Sequence, residues 1–256
     1  FGPAGEAERV RLLGNPAVPK PLERVYGDEG MKAEEAVVYL YERGVPVSQI
    51  QRAFSVGALG GVRMRRLVPT RWSITAVDDI VSRHLLERVR RLEQLDEYLF
   101  FERKYADNTF IAILAPGPWS YEWIEAWFPH TTWNPGRHCG GGGGRGRGFR
   151  GRTTYASLGG CYYAARLATA EYLLRLGRQA TAVLIREIYE GFFLPIGVWF
   201  VRENVRQLFA GRPERYSSLR EVLERLSRAT RLPLSTWLSA SRLLRDMLRQ
   251  ERLPVG

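Results

Sequence analysis

The β-type segments of this chain are short and separated by turn residues, which limits how a sheet can be built. Residues 97–105 and 109–115 are rich in aromatic and branched residues and flank the turn sequence Ala-Asp-Asn, so they predict an antiparallel hairpin. Residues 180–189 and 193–200 flank a Glu-Gly turn and predict a second antiparallel pair. With helical segments around both pairs, the sequence predicts an α+β fold in which β-hairpins form an antiparallel sheet packed with several helices.

Apolar residues spaced three and four apart mark the helical segments. Thr75 and Asp78 resemble a capping box, and apolar residues from Val77 to Leu92 follow at helical spacing. An aromatic-rich stretch at 119–128 is interpreted as a short helix. The remaining predicted helices cover residues 31–43, 48–54, 159–176, 202–209, 217–230 and 235–249.

The domain organisation is predicted from punctuation by Pro and Gly. Residues 1–30 show little periodicity and predict an extended N-terminal arm, whereas residues 31–256 predict a single α+β domain with a helical C-terminal region at 202–250. A long Gly/Arg loop at 134–152 interrupts this domain. It contains five consecutive glycines, Gly140 to Gly144, and glycine imposes no backbone preference, so a flexible loop is expected.

The charge of the chain is strongly positive and comes from arginine. Lys and Arg number 38 against 27 Asp and Glu, a net charge of +11, and only three of the basic residues are lysine. Five arginines lie in the Gly/Arg loop, and residues 202–252 hold twelve arginines against six acids. Arginine binds phosphate in a bidentate manner, so this surplus favours a polyanionic partner. Low Asn and Gln content also fits a thermophile.

The remaining composition points to a protein of the cytoplasm. No apolar run approaches the roughly 18 to 20 residues of a membrane span, and the N-terminus lacks a signal-peptide pattern. The first residue, Phe1, is not Met, so we expect further residues to precede it. Cys139 and Cys161 predict free thiols in a reducing compartment rather than a disulfide scaffold.

A cluster of basic and aromatic residues predicts a nucleic-acid surface. Guanidinium groups contact phosphates and an indole ring stacks on bases. The alternative is that the indole of Trp72 lies in the core and the arginines cap it. The residues predicted to bind nucleic acid are Arg63, Arg65, Arg66, Arg71 and Trp72, together with Arg145, Arg147, Arg150 and Arg152 of the loop.

No recognised catalytic signature is present, so candidate catalytic residues come from acids in apolar settings. Strand alternation places Arg186 and Glu187 on opposite faces of the segment at 180–189. Gathered carboxylates bind the divalent metals used in phosphodiester chemistry, whereas the structural alternative is dipole compensation and pairing with arginines. The candidate acids are Asp78, Asp79, Glu187 and Glu203. Further pocket candidates are Tyr162, Tyr163, Arg166, Arg186, Trp199, Arg202 and Asn204.

Several ordered stretches resemble the archaeal Nre family of DNA-repair proteins. The most distinctive is RRLVPTRWSITAVDD at 65–79, and the resemblance extends from about Pro16 to Leu244. The others are KAEEAVVYLYERG at 32–44, RGRTTYA at 150–156, GGCYYAARLATAEYL at 159–173 and REIYEGFFLPIGVWFVRENVR at 186–206.

The resemblance implies a role in the repair of DNA damage in archaea and names no catalytic residues. It implies that the chain corresponds to the C-terminal portion of the family's chain, since a cysteine-rich, zinc-finger-like segment lies further N-terminal. It also implies a sliding clamp as partner, bound by a C-terminal peptide with a Gln, an aliphatic residue and two aromatics. Here Gln250 and Leu253 are present without the aromatic pair.

Three hypotheses follow. The leading hypothesis is a DNA-repair-associated protein that binds nucleic acid. It includes no membrane partner and no established cofactor. The first alternative is an enzyme acting on nucleic acid or a nucleotide with a divalent metal, so whether the chain is an enzyme stays open. The second alternative is a non-enzymatic adaptor in a larger assembly, which an exposed apolar patch at Trp119, Trp123 and Trp127 would favour.

Overall fold

The computed structural model describes residues 17–131, 134, 136, 140–145, 159–193 and 197–251. Contacts divide the chain into two compact units, one up to Ile80 and one from Val81. This boundary differs from the predicted one at residue 30, because helices on both sides of residue 30 pack together in the first unit. Within the described ranges, no helix combines the length and apolar character needed to cross a membrane.

The described part of the first unit contains helices and no strand. Helices α1 (Lys20–Gly27), α2 (Ala33–Glu42) and α3 (Val47–Ser55) are followed by a short 3₁₀ turn (Val62–Met64) and the beginning of α4 (Thr70–Val89). The prediction of an extended arm is therefore wrong for residues 20–27, where a helix begins directly after Pro19. Its one buried residue, Val25, joins a core that includes Val37, Leu40 and Ile50.

Helix α4 begins earlier than its sequence predicts. The carbonyl of Pro69 accepts hydrogen bonds from the backbone N–H of Trp72 at 2.8 Å and of Ser73 at 3.0 Å, which starts the helix at Thr70. The predicted capping box is wrong, because Thr75 and Asp78 lie inside the helix. The Thr75 hydroxyl instead donates to the carbonyl of Arg71 at 3.1 Å.

The second unit contains a six-stranded sheet. Its strands are β1 (Tyr98–Tyr105), β2 (Asn108–Ala115), β3 (Ser120–Trp127), β4 (Gly140–Arg145), β5 (Thr181–Ile188) and β6 (Glu214–Tyr216), in the order β4-β3-β5-β2-β1-β6. The predicted hairpin of β1 and β2 is confirmed. Its two turn residues, Ala106 and Asp107, have φ values of 48° and 53°, as a tight two-residue hairpin turn requires.

The sheet is mixed, and the α+β class is confirmed. Strand β5 lies between β2 and β3, antiparallel to β2 and parallel to β3. A parallel pair needs a crossover, and helix α5 (Gly160–Leu176) lies in the connection from β3 to β5. The expected antiparallel partner at 193–200 is wrong, because Trp199 and Phe200 begin helix α6 (Trp199–Ala210). Residues 194–196 lie outside the described residues.

Two further segments near the sheet edge differ from their predictions. The aromatic stretch at 119–128 is strand β3 rather than a helix, and its residues from Tyr121 to Ala126 are buried on both faces, so alternation gave no signal. The glycine run of the predicted flexible loop forms edge strand β4, which pairs antiparallel with β3. Arg147, Arg150 and Arg152 of that loop lie outside the described residues.

Helices cover both faces of the sheet. One face packs against α7 (Leu219–Ala229), α8 (Leu234–Ala240) and α9 (Arg242–Glu251), with Ile113, Ile124 and Val183 meeting Leu226 and Trp237 in one apolar core. The predicted helix at 235–249 is thus two helices that break at Ser241. On the other face α6 contacts β1 and β2, and α5 contacts β3.

Candidate nucleic-acid interface

Trp72 is exposed, which rejects the alternative that it lies in the core. Its side chain is in the first turn of α4 and 62% of its surface is accessible to solvent. Two apolar neighbours in sequence are also exposed, Leu67 at 80% and Met64 at 68%. Large apolar side chains exposed this close together in sequence are typical of binding surfaces rather than of an inert one.

Three of the predicted arginines lie near Trp72 in sequence and have no partners among the described residues. Arg63, Arg66 and Arg71 are exposed, and their side chains form no hydrogen bond or ion pair with a described residue. We refer to these three arginines and Trp72 as the arginine–tryptophan surface. Free guanidinium groups retain all their donors for a ligand, so this surface is able to bind several phosphate oxygens.

Arg65 has a different role from its neighbours. Its Nε donates to the Gly60 carbonyl at 2.7 Å, and its Nη2 donates to the carbonyls of Tyr26 at 2.8 Å and Asp28 at 3.2 Å. The guanidinium also lies 4.8 Å from the centroid of the Tyr26 ring. Arg65 therefore fastens the segment to α1 and the residues after it, and it is not available to a ligand in the same way.

The backbone that carries the arginine–tryptophan surface is fixed against helix α3. The Ser55 hydroxyl donates to the Val68 carbonyl at 2.8 Å, and the Val68 N–H donates to the Ser55 carbonyl at 2.9 Å. Gly57 has a φ of 73°, and a Cβ there would lie 2.7 Å from the carbonyl oxygen of Arg66. The close approach requires glycine at this position, and it positions the exposed arginines on a defined backbone.

Of the four loop arginines predicted to bind nucleic acid, only Arg145 lies among the described residues. Arg145 is the last residue of β4, and its backbone is opposite Glu122 of β3. The other three predicted loop residues lie outside the described residues, so their part in nucleic-acid binding stays a prediction.

The four candidate catalytic carboxylates have separate structural surroundings. Asp78 is buried and accepts a hydrogen bond from Gln51 Nε2 at 2.9 Å. Glu203 accepts from Arg202 Nε at 3.2 Å and from Arg206 Nη1 at 2.9 Å. Asp79 lies beside Asp78 in α4 and is itself partnered.

Glu187 holds the connection between α7 and α8. Its two carboxylate oxygens accept from the backbone N–H groups of Arg231 and Leu232, both at 2.9 Å, and Oε2 also accepts from the Tyr189 hydroxyl at 2.6 Å. Among the described residues, no group of three or more His, Cys, Asp or Glu side chains is arranged to hold a metal ion. Each of these acids therefore has a structural explanation.

The predicted alternation of Arg186 and Glu187 is confirmed. Glu187 faces α7 and α8, whereas Arg186 faces the opposite side, where its Nε donates to Asn108 Oδ1 at 2.8 Å and its Nη1 to Glu125 Oε1 at 3.1 Å. Four aromatic rings surround the guanidinium at 5.2 to 5.6 Å from their centroids. These rings belong to Phe110, Trp127, Phe192 and Phe200.

Glu125 and its strand neighbour Glu122 were missed by the sequence reasoning. Glu122 is buried on the face of the C-terminal helices and accepts from the Arg242 N–H at 3.0 Å and from the Ser241 hydroxyl. Both acids lie in the segment at 119–128, for which the sequence predicts a helix, and acids on a surface helix are ordinarily solvated. A strand between two layers of helices instead buries both acids, and buried acids need partners.

The other pocket candidates are mostly buried. Arg166 donates through Nε and Nη2 to the Ser82 hydroxyl at 3.0 and 2.8 Å, and its guanidinium lies over the rings of Tyr162 and Tyr163. Asn204 is buried in α6, where its Nδ2 donates to the Phe200 carbonyl at 2.9 Å. The buried Arg202 pairs with Glu203, as described above.

Three remaining predictions concern aromatic and thiol side chains. Trp199 is half-exposed at the start of α6. Trp119 and Trp123 are buried, because β3 is an internal strand, so they do not form the exposed patch that would favour an adaptor. Cys161 is a free cysteine, and burial raises the pKa of its thiol.

The fold and this surface define an α+β protein with a helical first unit that presents unpaired arginines beside an indole. Sequence comparison places it more closely. The family model "Archaeal Nre, N-terminal" matches residues 1–134, and "Archaeal Nre, C-terminal" matches residues 147–254. The chain belongs to the archaeal Nre family, and both family models match it.

Curated relatives agree with this assignment. The chain is 50% identical over 245 residues to DNA repair protein NreB of Archaeoglobus fulgidus, covering 96% of this chain and 62% of the relative. It is 42% identical to DNA repair protein NreA of Haloferax volcanii, covering 82% and 50%. It is 38% identical to NreA of Archaeoglobus fulgidus, covering 89% and 58%. The chain thus spans about half to three fifths of these relatives. No solved structure matches it.

The two family models meet within one sheet. Strands β1, β2 and β3 fall in the N-terminal match, and β5 falls in the C-terminal match, yet β5 pairs with both β2 and β3. The two matched regions are therefore parts of one fold rather than independent domains, and neither would complete the sheet alone.

Proposed function

We propose that this chain is a DNA-repair protein that binds nucleic acid through the arginine–tryptophan surface. The observation that carries the proposal is the exposed indole of Trp72, which lies within nine residues in sequence of three exposed arginines without partners among the described residues. The names of the relatives, DNA repair proteins NreA and NreB, supply the process. The charge of the surface supplies the class of ligand, because four arginines and no acid occur between residues 62 and 72.

The chemistry of the surface favours nucleic acid with accessible bases. Guanidinium groups bind phosphate oxygens at any sequence, whereas an indole gains energy by stacking on a base, by about 1 to 3 kcal/mol. In an intact duplex both faces of a base are already stacked. Unpaired or unstacked bases offer a free face, so we expect single-stranded or distorted DNA to bind more tightly than intact duplex.

A pair of tryptophan variants tests this proposal. Trp72→Ala is expected to weaken binding of a single-stranded oligonucleotide by about fivefold to 150-fold, which is the stacking energy expressed as affinity. Trp199→Ala is the matched control, because Trp199 is also half-exposed but lies in the second unit. Fluorescence anisotropy at constant salt measures both. Equal affinities for Trp72→Ala and the unaltered protein would reject the stacking role.

A second candidate function, an adaptor, is favoured by the apolar residues around the surface. Leu67 and Met64 are more exposed than Trp72. A protein partner with an apolar patch for these two side chains and acidic groups for the arginines would also fit the surface. Leu67→Ser with Met64→Ser separates the two functions. An adaptor predicts that this variant keeps its oligonucleotide affinity and fails to restore survival after DNA damage in an archaeal host lacking the homologue. Restored survival would reject the adaptor.

Two finer predictions remain proposals. Sliding-clamp binding is implied by the family through the C-terminal peptide, of which residues 252–256 lie outside the described residues. A metal-dependent reaction draws no support from the four candidate carboxylates, because each has structural partners.

A further inference from the structure

A cavity of about 480 Å³ opens in the second unit between the β1–β2 turn and the end of helix α7. Cavities of roughly 300 to 1,000 Å³ are the usual size of small-molecule sites. None of the residues proposed above to bind nucleic acid contributes to it. Its lining residues are Lys104, Tyr105, Ala106, Asp107, Asn108, Thr109, Tyr189, Arg228, Ala229, Thr230 and Arg231.

Two arginines give the cavity uncompensated positive charge. The side chains of Arg228 and Arg231 are exposed and form no hydrogen bond or ion pair with a described residue. Lys104 adds an ammonium group that pairs with Glu102 at 3.1 Å and is itself mostly exposed. Unpaired guanidinium groups at a concave surface are suited to a phosphate group, because they donate through two parallel N–H groups.

The guanidinium of Arg231 is oriented by the wall of the cavity. It lies 3.9 Å from the centroid of the Tyr189 ring, a cation–π contact that leaves its N–H edges free. Tyr189 is fixed in turn, because its hydroxyl contacts the Thr109 hydroxyl at 2.9 Å and donates to Glu187 at 2.6 Å. The backbone N–H of Arg231 also donates to Glu187. This arginine is therefore held before any ligand arrives.

The β1–β2 turn contributes an acceptor to the cavity. Asp107 lines the cavity from the β1–β2 turn. Gly191 lies so close to Asp107 that a Cβ added to Gly191 would be 2.5 Å from the Asp107 carboxylate. A carboxylate repels a bare anion but accepts hydrogen bonds from sugar hydroxyls or base amino groups. The ring of Tyr105 is half-exposed, but it already contacts the Phe200 ring and the Arg103 guanidinium, so it contributes no free aromatic face to the cavity.

We propose that this cavity binds a nucleotide, with Arg228 and Arg231 on its phosphate and Asp107 on its hydroxyl or amino groups. The combination of cations and one acceptor matches a ligand that carries an anionic end and neutral donors. The source of the nucleotide is either a free mononucleotide or the phosphorylated end of a strand. This inference does not depend on the arginine–tryptophan surface, since the two sites share no residue.

Calorimetric titration with adenosine 5′-monophosphate and with adenosine tests the site. The monophosphate should bind about tenfold or more tightly than adenosine, and Arg228→Ala with Arg231→Ala should remove that difference. Arg220→Ala is the matched control, because Arg220 is exposed on the same helix and pairs with Glu224. Arg231→Gln replaces Arg231→Ala if the thermal unfolding temperature falls.

Single-stranded oligonucleotides with a 5′-phosphate or a 5′-hydroxyl identify the source. If the mononucleotide binds and this binding depends on the two arginines, the natural ligand is a free nucleotide. If only the 5′-phosphorylated strand binds in this arginine-dependent way, the natural ligand is the end of a strand. Trp72→Ala should leave the mononucleotide affinity unchanged, so failure of one site does not mimic failure of the other. Phosphate-independent binding, equal loss in Arg220→Ala, or no binding of any probe would overturn the proposal.

Discussion

Two regions of the molecule are rich in arginine, but they use it in different ways. Residues 202–252 hold twelve arginines, and among the eleven of them that the structure describes, seven form ion pairs with acids. The segment from residue 62 to residue 72 holds four arginines, of which three have no partner among the described residues. Net charge alone therefore points to the C-terminal helices, whereas the fraction of arginines without a partner is higher in the shorter segment.

The difference follows from the acids that each region contains. In the C-terminal helices acids occur three or four residues from arginines, as in the pairs Arg220–Glu224 and Arg242–Asp246. Residues at this spacing are neighbours on a helix surface. The segment at 62–72 contains no acid, and its only partnered arginine, Arg65, bonds to backbone carbonyls. Arginine without a local acid is the better sequence signal for a polyanion surface.

The largest expected effect comes from breaking the most buried arginine contact. Arg186→Met leaves the buried carboxylate of Glu125 without its guanidinium, so the free energy of unfolding should fall by about 3 to 5 kcal/mol. Urea denaturation measures this change. Arg71→Ala, which removes an unpaired surface arginine, should change the same quantity by less than about 0.5 kcal/mol.

A double variant checks the cause of that loss. Combining Arg186→Met with Glu125→Leu removes both charges, and stability should recover in large part, because replacement of a buried pair by apolar groups is often neutral. If the double variant is as unstable as Arg186→Met alone, the loss of stability comes from the aromatic surroundings of Arg186 rather than from the unpaired carboxylate of Glu125.

A smaller effect is expected at the contact between α5 and α6. Arg206 donates two hydrogen bonds to Glu171, at 2.8 and 2.6 Å, and is only partly exposed. Arg206→Ala should lower the free energy of unfolding by about 1.5 to 3 kcal/mol, as expected for hydrogen bonds to a charged group. Thermal and urea unfolding report it. Stability equal to that of the unaltered protein would mean that this arginine is not structural.

The smallest effect concerns an exposed pair on α7. Arg220 and Glu224 are both largely exposed, so Arg220→Ala should change stability by less than about 1 kcal/mol. Its oligonucleotide affinity should also stay the same, since its charge is already compensated. A clear loss of affinity in Arg220→Ala would blur the contrast between the two arginine-rich regions.

Local patterns predicted much of the fold. The β1–β2 hairpin, α5 with its terminal Gly177, and the opposite orientations of Arg186 and Glu187 all depend on turn chemistry or alternation within one segment. The position of β5 between β2 and β3 depends on pairing across distant parts of the chain, which no local pattern contains. The prediction of a helix over β3 is wrong for a different reason, because burial on both faces removes the alternation that marks a strand.

The candidate site divides in a similar way. The sequence identified the residues of the arginine–tryptophan surface, but exposure of Trp72 depends on a helix that begins at Thr70 through the Pro69 carbonyl. The predicted grouping of four acids is not observed, because each acid has a structural partner. These acids are Asp78, Asp79, Glu187 and Glu203. The cavity with Arg228 and Arg231 joins two distant segments, so its residues could not be recognised from spacing.

The salt dependence of oligonucleotide binding tests the central claim most directly. Two triple variants each lower the net charge by three: Arg63, Arg66 and Arg71 to Ala, and Arg220, Arg242 and Arg249 to Ala. The first should reduce the slope of log affinity against log salt concentration by about one per arginine, because each phosphate contact releases counterions. The second should leave the slope close to that of the unaltered protein. Equal slopes for both triple variants would contradict the account.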